Sequence, residues 1–268
     1  MHKHGILNVK TSQTGALKQV FEKLHVVIPE CYITFIQPVI TKKKYTNGRI
    51  IIQQLSEDRS LFVKINLESE NFDKFICEEP IIKIGVNVRH LYAMLQLVPD
   101  NNKLMLQMNK KNRDTLYISG IPNNDDDDEI YLELNLVSTG IIEFPTPQIK
   151  HMNKFTMNRS KFNSICKEFG NNTESVEITM VGDKISFVGH SEGGKITKTS
   201  KIDCNIAKEK KIEGKYELRN LLSFSKCNKL CDSVDVHLKN ESPLVLEMAV
   251  ATLGYMYIYL SPLENVSK

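Results

Sequence analysis

Residues 136–152 (LVSTGIIEFPTPQIKHM) constrain the fold most, because the sequence before them and the sequence after them predict the same order of helices and strands. Pro145 and Pro147 remove backbone donors and push the residues before them into extended geometry. The apolar residues of the stretch follow neither the period of a helix nor that of a strand. We therefore interpret it as a connector between two similar domains, residues 1–135 and 153–268. A plain surface loop is the alternative interpretation.

On both sides of this stretch the sequence predicts the order helix, strands, helix, strands. Apolar residues at helical spacing predict helices over residues 14–25 and 88–98 in the first domain, and over 158–169 and 216–227 in the second. The segments between them are short and strand-like, and several are joined by hairpin signals such as Gly182-Asp183. No long alternation of helices and strands suggests a parallel sheet. The predicted fold class is therefore α+β, with two helices packed on antiparallel sheets in each domain.

Composition and charge narrow the classes of function. No apolar run approaches the roughly 20 residues of a membrane helix, and the N-terminus lacks the apolar core of a signal peptide. We therefore expect a protein kept in a reducing compartment, with no membrane partner. The six scattered cysteines form no CxxC pair, which favours free thiols over a zinc site. A net charge of +3 is too small to indicate nucleic-acid binding by itself.

The sequence contains no catalytic constellation that we recognise. It lacks GxxxxGK[ST], GxGxxG after a strand, HExxH and GxSxG. Residues 125–128 are four adjacent aspartates without the spaced ligands of a calcium loop, so we interpret them as a solvated acidic loop. We expect no enzyme activity, no metal site and no cofactor. An unrelated enzyme whose site is invisible in the sequence is an alternative.

Several segments, in order, resemble the eukaryotic-type DNA sliding clamps of the proliferating cell nuclear antigen family. Residues 242–247 (SPLVLE), followed by Leu253-Gly254 and residues 257–262 (YIYLSP), are similar to the family's PLVxEY, MG and YYLAP series. The other similar segments are residues 70–73 (ENFD), 85–88 (GVNV), 162–168 (FNSICKE) and 217–219 (ELR). The Lys- and Asn-rich style and the divergent connector suggest a viral or protist member.

The resemblance implies a DNA clamp fold and a non-enzymatic processivity factor that forms a head-to-tail homotrimer around duplex DNA. It also implies a clamp loader as a partner, and a peptide pocket that captures DNA polymerase and other replication and repair proteins. The location would be the nucleus or, for a viral protein, a cytoplasmic or nuclear replication site. A monomeric clamp-like viral processivity or transcription factor that binds DNA on one face is the alternative.

The resemblance further assigns basic helix residues to the DNA surface. Long Lys and Arg side chains that make weak phosphate contacts suit a protein that must slide. The residues assigned are Lys18, Lys167, Arg219, Lys226 and His25, with Lys161, Lys229 and Arg89 nearby. The chain departs from the family at Gln19, Ala93, Gln96 and Asn171, where lysine is common, which puts the strength of DNA binding in question. A merely solvated helix face is the alternative for each lysine.

Two further surfaces follow from the same resemblance. The partner peptide would bind Leu55, Phe62, Ile141, Ile142, Phe144, Pro145, Pro243, Tyr259, Leu260 and Pro262. An apolar patch that folds onto its own sheet is the alternative. In the subunit interface, Ile130, Tyr131, Leu132, Glu133 and Leu134 would pair with Lys195, Ile196, Lys198 and Lys201 of a neighbour, with opposite charges setting the register. Two charged edge strands protected against aggregation are the alternative there.

Overall fold

The computed structural model describes residues 5–40, 45–124, 128–138, 140, 145–147, 152–204 and 211–263. Within these residues the α-helices are α1 (Thr14–Val27), α2 (Val88–Leu97), α3 (Arg159–Gly170) and α4 (Leu218–Ser225). The strands of the first half are β1 (Gly5–Thr11), β2 (Glu30–Ile36), β3 (Val39–Ile40), β4 (Tyr45–Thr46), β5 (Arg49–Leu55), β6 (Leu61–Glu68), β7 (Lys74–Cys77), β8 (Ile81–Asn87), β9 (Lys103–Asn109), β10 (Thr115–Ile121) and β11 (Ile130–Asn135). Those of the second half are β12 (Asn153–Asn158), β13 (Ser175–Val181), β14 (Lys184–Ser191), β15 (Gly194–Lys201), β16 (Lys211–Glu217), β17 (Ser233–Leu238), β18 (Leu244–Val250) and β19 (Gly254–Leu260).

The four predicted helices are confirmed, but the last begins two residues later than predicted. Tyr216 and Glu217 extend β16 and pair with Val176 and Ser175 of β13. The side chain of Tyr216 is fully buried. Tyr216 is therefore part of the sheet, although its apolar character would also suit the buried face of a helix. Helix α4 therefore starts at Leu218.

The two halves of the chain repeat one topology. In the first, the strand orders are β11-β10-β9-β1 and β6-β5-β2-β8. In the second, they are β19-β18-β17-β12 and β15-β14-β13-β16. When these orders are aligned, β11 is the counterpart of β19 and β6 is the counterpart of β15. In the same way, α1 corresponds to α3 and α2 corresponds to α4. Strand β7 and the hairpin of β3 and β4 have no counterpart among the described residues of the second half.

The chain separates into two compact units that interleave along the sequence. Unit 1 contains Met1–Gln54, Lys64–Phe144 and Ala249–Met256. Unit 2 contains Leu55–Val63, Pro145–Met248 and Tyr257–Lys268. Parts of β5, β6, β18 and β19 thus belong to each unit. The domain bounds drawn from the sequence at residues 135 and 153 stay a prediction.

In unit 1, α1 and α2 pack on each other and bury one apolar face each. The α1 face consists of Ala16, Leu17, Val20, Phe21 and Leu24. Asn87 caps α2, because its side chain accepts a hydrogen bond from the backbone N–H of His90 at 3.0 Å. Leu91 and Leu95 are the buried residues on the following turns. Polar residues lie mainly on the opposite side of each helix.

Unit 2 uses the same design. Asn158 caps α3 by accepting a hydrogen bond from the Ser160 N–H at 2.9 Å. Helix α3 buries Phe162, Ile165, Cys166 and Phe169, and α4 buries Leu218, Leu221 and Phe224. The hydroxyl of Ser225 on α4 donates to the side chain of Asn163 on α3 at 3.2 Å. This packing fixes which helix residues remain exposed.

Candidate functional site

Unit 2 exposes all four lysines of the predicted DNA surface that lie in it, and three of them lie on its helices or at a helix end. Lys161 and Lys167 lie on α3, on the side away from the buried phenylalanines, and Lys226 is the C-cap residue of α4. Their side chains form no ion pair within the described parts of the chain. A cation at a helix C-terminus is also favoured by the helix dipole. These three charges are therefore available to an anionic ligand, and Lys229, beyond α4, is likewise exposed.

Arg219 has a different environment. Its Nη2 atom lies 3.1 Å from a carboxylate oxygen of Asp58 and 3.2 Å from Glu217. The Ser56 hydroxyl, the Ser60 backbone N–H and hydroxyl, and the Arg219 charge together lower the pKa of Asp58. The Arg219 charge is thus compensated by two carboxylates, although 68 % of its side chain is exposed.

The predicted DNA residues of unit 1 are mostly engaged within the unit. Lys18 forms an ion pair with Asp100 at 2.8 Å and donates to the Val98 carbonyl at 2.7 Å, with only 16 % of its side chain exposed. The His25 ring stacks on Tyr92, with the ring centroids 4.5 Å apart. Arg89 is exposed on α2. Of the positions where the family often has lysine, Gln19 is buried, whereas Ala93, Gln96 and Asn171 are exposed.

A small cavity in unit 2 coincides with part of the predicted peptide site. It has a volume of about 70 Å³ and is lined by Pro147, Met152, Lys239, Ser242, Pro243, Val245 and Tyr259. Phe62 packs edge-on against Tyr259, with 5.5 Å between ring centroids. Three predicted residues, Phe62, Pro243 and Tyr259, thus lie together. Val245 was not predicted, although its position on β18, two residues after Pro243, could have indicated it.

The other predicted peptide residues are more dispersed. Leu260 is buried and, as the neighbour of Tyr259 along β19, faces the opposite side of the sheet. Leu55 is half-buried and Pro145 is exposed. Pro262 lines a separate cleft of unit 2 that also contains Lys215 and Glu241. Ile141, Ile142 and Phe144 lie outside the described residues.

The two strands predicted to meet across a subunit interface each lie at the edge of a sheet. On β11, Tyr131 is 70 % exposed, Glu133 is exposed, Ile130 and Leu132 are half-buried, and Leu134 is buried. On β15, Lys195 and Lys201 are exposed, whereas Ile196 and Lys198 are half-buried.

Lys198 is already engaged within unit 2. Its Nζ atom lies 2.8 and 2.7 Å from the two carboxylate oxygens of Glu168 on α3. Hydrogen bonds from Lys198 and from Ser164 lower the pKa of Glu168. The charges of β15 open to a neighbour are therefore those of Lys195 and Lys201.

Reactive groups are scarce in the described parts of the chain. No cluster of three or more His, Cys, Asp or Glu side chains there could hold a metal ion. Burial raises the pKa of the Cys31 and Cys166 thiols to about 12, which makes both poor nucleophiles at neutral pH. None of the described helices is both long and apolar enough to cross a membrane. The surfaces that stand out are the exposed lysines, the small apolar cavity and the two edge strands.

Comparison with known proteins shows which protein family matches this chain. Residues 6–141 match the model "Proliferating cell nuclear antigen, N-terminal domain", and residues 146–263 match the corresponding C-terminal domain model. A mimivirus protein named "Probable DNA polymerase sliding clamp" is 40 % identical over 97 % of this chain, and the chain spans 62 % of that relative's length. "Probable DNA polymerase sliding clamp 1" of Paramecium bursaria Chlorella virus 1 is 22 % identical over 96 % of this chain and 97 % of the relative.

A solved structure shows the same fold. The crystal structure of proliferating cellular nuclear antigen from Entamoeba histolytica superposes with a TM-score of 0.84 at 20 % identity, over 97 % of this chain and 100 % of the other. The predicted α+β DNA clamp fold, with two similar domains of helices on antiparallel sheets, is thereby confirmed. The resemblance seen in the sequence is confirmed as well, and viral relatives fit the suggested divergence. With both of its domain models matched in order, the chain belongs to the proliferating cell nuclear antigen family.

Proposed function

We propose that this chain is the subunit of a DNA sliding clamp, a homotrimeric ring that encircles duplex DNA without reading its sequence. The ring tethers DNA polymerase and other replication and repair proteins through the peptide pocket of unit 2. It catalyses no reaction itself, and a clamp loader opens it on DNA at the site of genome replication, in the nucleus or the cytoplasm. The names of the two viral relatives support this role.

The duplicated topology is the observation that carries the proposal. In the strand order, β19 is followed by β6. The backbone N–H of Glu68 donates to the Leu253 carbonyl, and that of Ser261 to the Ser60 carbonyl, both at 2.9 Å. Strand β11, the counterpart of β19, and strand β15, the counterpart of β6, each lie at the edge of a sheet. Two chains can therefore pair β11 with β15 in the way that one chain pairs β19 with β6.

Such pairing joins unlike surfaces, and a head-to-tail contact of this kind forms a ring when the rotation closes. Each subunit supplies two copies of the repeated unit, so three subunits supply six. Pairing would also cover the exposed Tyr131 and satisfy edge-strand backbone groups that otherwise invite aggregation. Lys195 and Lys201 on one strand and Glu133 on the other provide opposite charges for this contact.

The charges of the helices suit weak, non-specific DNA contact. Within the described residues, Lys161, Lys167 and Lys226 are exposed and form no ion pair, and a lysine binds phosphate as a point charge with little geometric demand. Such contacts carry no sequence information and weaken with salt through counterion release. A ring with these contacts is retained by enclosure and can still slide.

The native mass tests the assembly directly. We expect light scattering at micromolar concentration to give three times the 30.6 kDa of the chain. On bead-bound linear DNA, we expect the protein to persist in high salt when the free end is blocked and to be lost when the end is open. A 30.6 kDa species that binds both DNAs equally would favour the monomeric clamp-like factor instead.

A further inference from the structure

We infer that Arg219 positions the turn beside the partner-peptide pocket and is withdrawn from the DNA surface. The turn consists of residues 56–60, between β5 and β6, and all the groups involved belong to unit 2. The inference rests on the proposed function, because it names the residue that supports the peptide site of the clamp. It assigns Arg219 a role different from that of Lys161, Lys167 and Lys226.

Asp58 is the centre of the turn. Its Oδ1 atom accepts hydrogen bonds from the Ser56 hydroxyl at 2.6 Å, the Ser60 hydroxyl at 2.8 Å and the Ser60 backbone N–H at 3.1 Å. The backbone N–H of Arg59 donates to the Ser56 carbonyl at 3.0 Å. Arg59 itself has φ of +57°, a conformation that is uncommon outside glycine. The turn therefore depends on a dense set of bonds.

The first turn of α4 holds this structure at two points. Arg219 reaches the second carboxylate oxygen of Asp58, Oδ2, at 3.1 Å. The amide nitrogen of Asn220 donates to the Ser60 hydroxyl at 3.0 Å and to Glu217 at 3.1 Å. Asn220 is buried, so its bonds are shielded from solvent. Residues at the N-terminal end of a helix thus fix a turn that lies far away in the sequence.

The same turn borders the peptide site. It is flanked by Leu55 and by Phe62, which packs on Tyr259 of the cavity. On its other side, Ser261 donates its backbone N–H to the Ser60 carbonyl at 2.9 Å and its hydroxyl to the Arg59 carbonyl at 3.3 Å. Ser261 precedes Pro262, another predicted peptide residue. A shift of the turn would therefore move residues on two sides of the peptide site.

Electrostatics separates Arg219 from the lysines. A phosphate that approaches its guanidinium also approaches Asp58 and Glu217, and like charges repel at these distances. The lysine side chains of α3 meet no such carboxylate within hydrogen-bonding distance in the described residues. Loss of Arg219 should therefore leave the number of phosphate contacts unchanged.

Four variants test this inference. R219Q and D58N each remove one charge of the pair, R219K keeps the positive charge at position 219, and K167Q is a matched loss of one positive charge on α3. Two quantities are measured for each. One is the affinity for a fluorescent peptide with the C-terminal sequence of the DNA polymerase from the same source. The other is the slope of the logarithm of DNA affinity against the logarithm of salt concentration.

We expect R219Q and D58N to weaken peptide binding about threefold to fivefold, as suits an exposed ion pair. R219K should bind the peptide more tightly than R219Q, because it keeps a positive charge beside Asp58. The salt slope should stay at the wild-type value in R219Q and fall in K167Q. An R219Q slope that falls as in K167Q, or unchanged peptide affinity, would overturn the inference alone. A wild-type protein that binds neither DNA nor peptide would overturn the proposed function, and the inference with it.

Discussion

At the scale of single residues, the basic side chains differ in what surrounds their charge rather than in their position on a helix. Lys18 and Lys167 both lie on helices, yet the first pairs with Asp100 and is largely covered. Lys167 is exposed and has no ion pair in the described residues. An ion pair that keeps a lysine at its partner lowers the gain from binding a phosphate, since the existing contact must be given up first.

This difference predicts separate effects on DNA binding. The double variant K161Q/K167Q should lower the salt slope by about 0.9 for each phosphate contact that is lost. In K18Q the slope should stay close to the wild-type value, because the Lys18 charge is already compensated. Fluorescence anisotropy of a labelled duplex at several salt concentrations measures both. Equal slopes in all three proteins would remove Lys161 and Lys167 from the DNA surface.

The limits of sequence reasoning also lie at this scale. Resemblance pointed to Lys18, Arg219 and Lys198, but nothing near them in the sequence reveals their partners. Asp58 is 161 positions from Arg219, and Glu168 is 30 positions from Lys198. Such pairs depend on which strands and helices are neighbours, and apolar periodicity does not encode that. The sequence predicts which helix residues are exposed. It does not predict which of the exposed basic side chains already form an ion pair within the chain.

At the scale of elements, local patterns were sufficient to find the helices and hairpins, and sheet register decided where they end. Helix α4 shows this, since pairing of Tyr216 and Glu217 with β13 shortens it. Leu260 shows the same principle in a strand: alternation places Tyr259 and Leu260 on opposite faces, so only Tyr259 can line the cavity. The family resemblance had assigned both residues to the peptide site.

Gly254, from the family-like Leu253-Gly254 motif, is a backbone requirement of unit 1. Its φ is +156°, and a Cβ atom there would lie 2.1 Å from the Asn66 carbonyl oxygen. Because that neighbour is backbone, G254A should lower the free energy of unfolding by about 2 kcal/mol or more. Urea denaturation measures the change. In the control G193A, the added Cβ would meet only the Ser191 hydroxyl at 3.9 Å, and a loss equal to that of G254A would contradict this reading.

At the scale of the whole molecule, the repeated order of elements was visible in the sequence because each copy carries its own helix and hairpin signals. The interleaving of the two units was not visible in the sequence. Leu55–Val63 belongs to unit 2 and Ala249–Met256 to unit 1, and this membership depends on contacts between distant parts of the chain. The same duplication explains why two edge strands are left over. Each copy offers a pairing surface, and β6 and β19 are neighbours within one chain, whereas β11 and β15 lie at sheet edges.

Tyr131 connects this topology to assembly. It is 70 % exposed on the edge strand β11, where its hydroxyl donates to Glu129. A partner strand that covered its ring would bury a large aromatic surface. In a ring that pairs β11 with β15, Y131A should raise the dissociation constant of the trimer about tenfold to a hundredfold, as for an interface aromatic residue. Sedimentation at decreasing protein concentrations measures this. Tyr255, 51 % exposed on β19, provides the control, because Y255A should leave the trimer intact. If Y131A dissociates no more readily than Y255A, β11 is not the interface strand, and the ring must close through another edge.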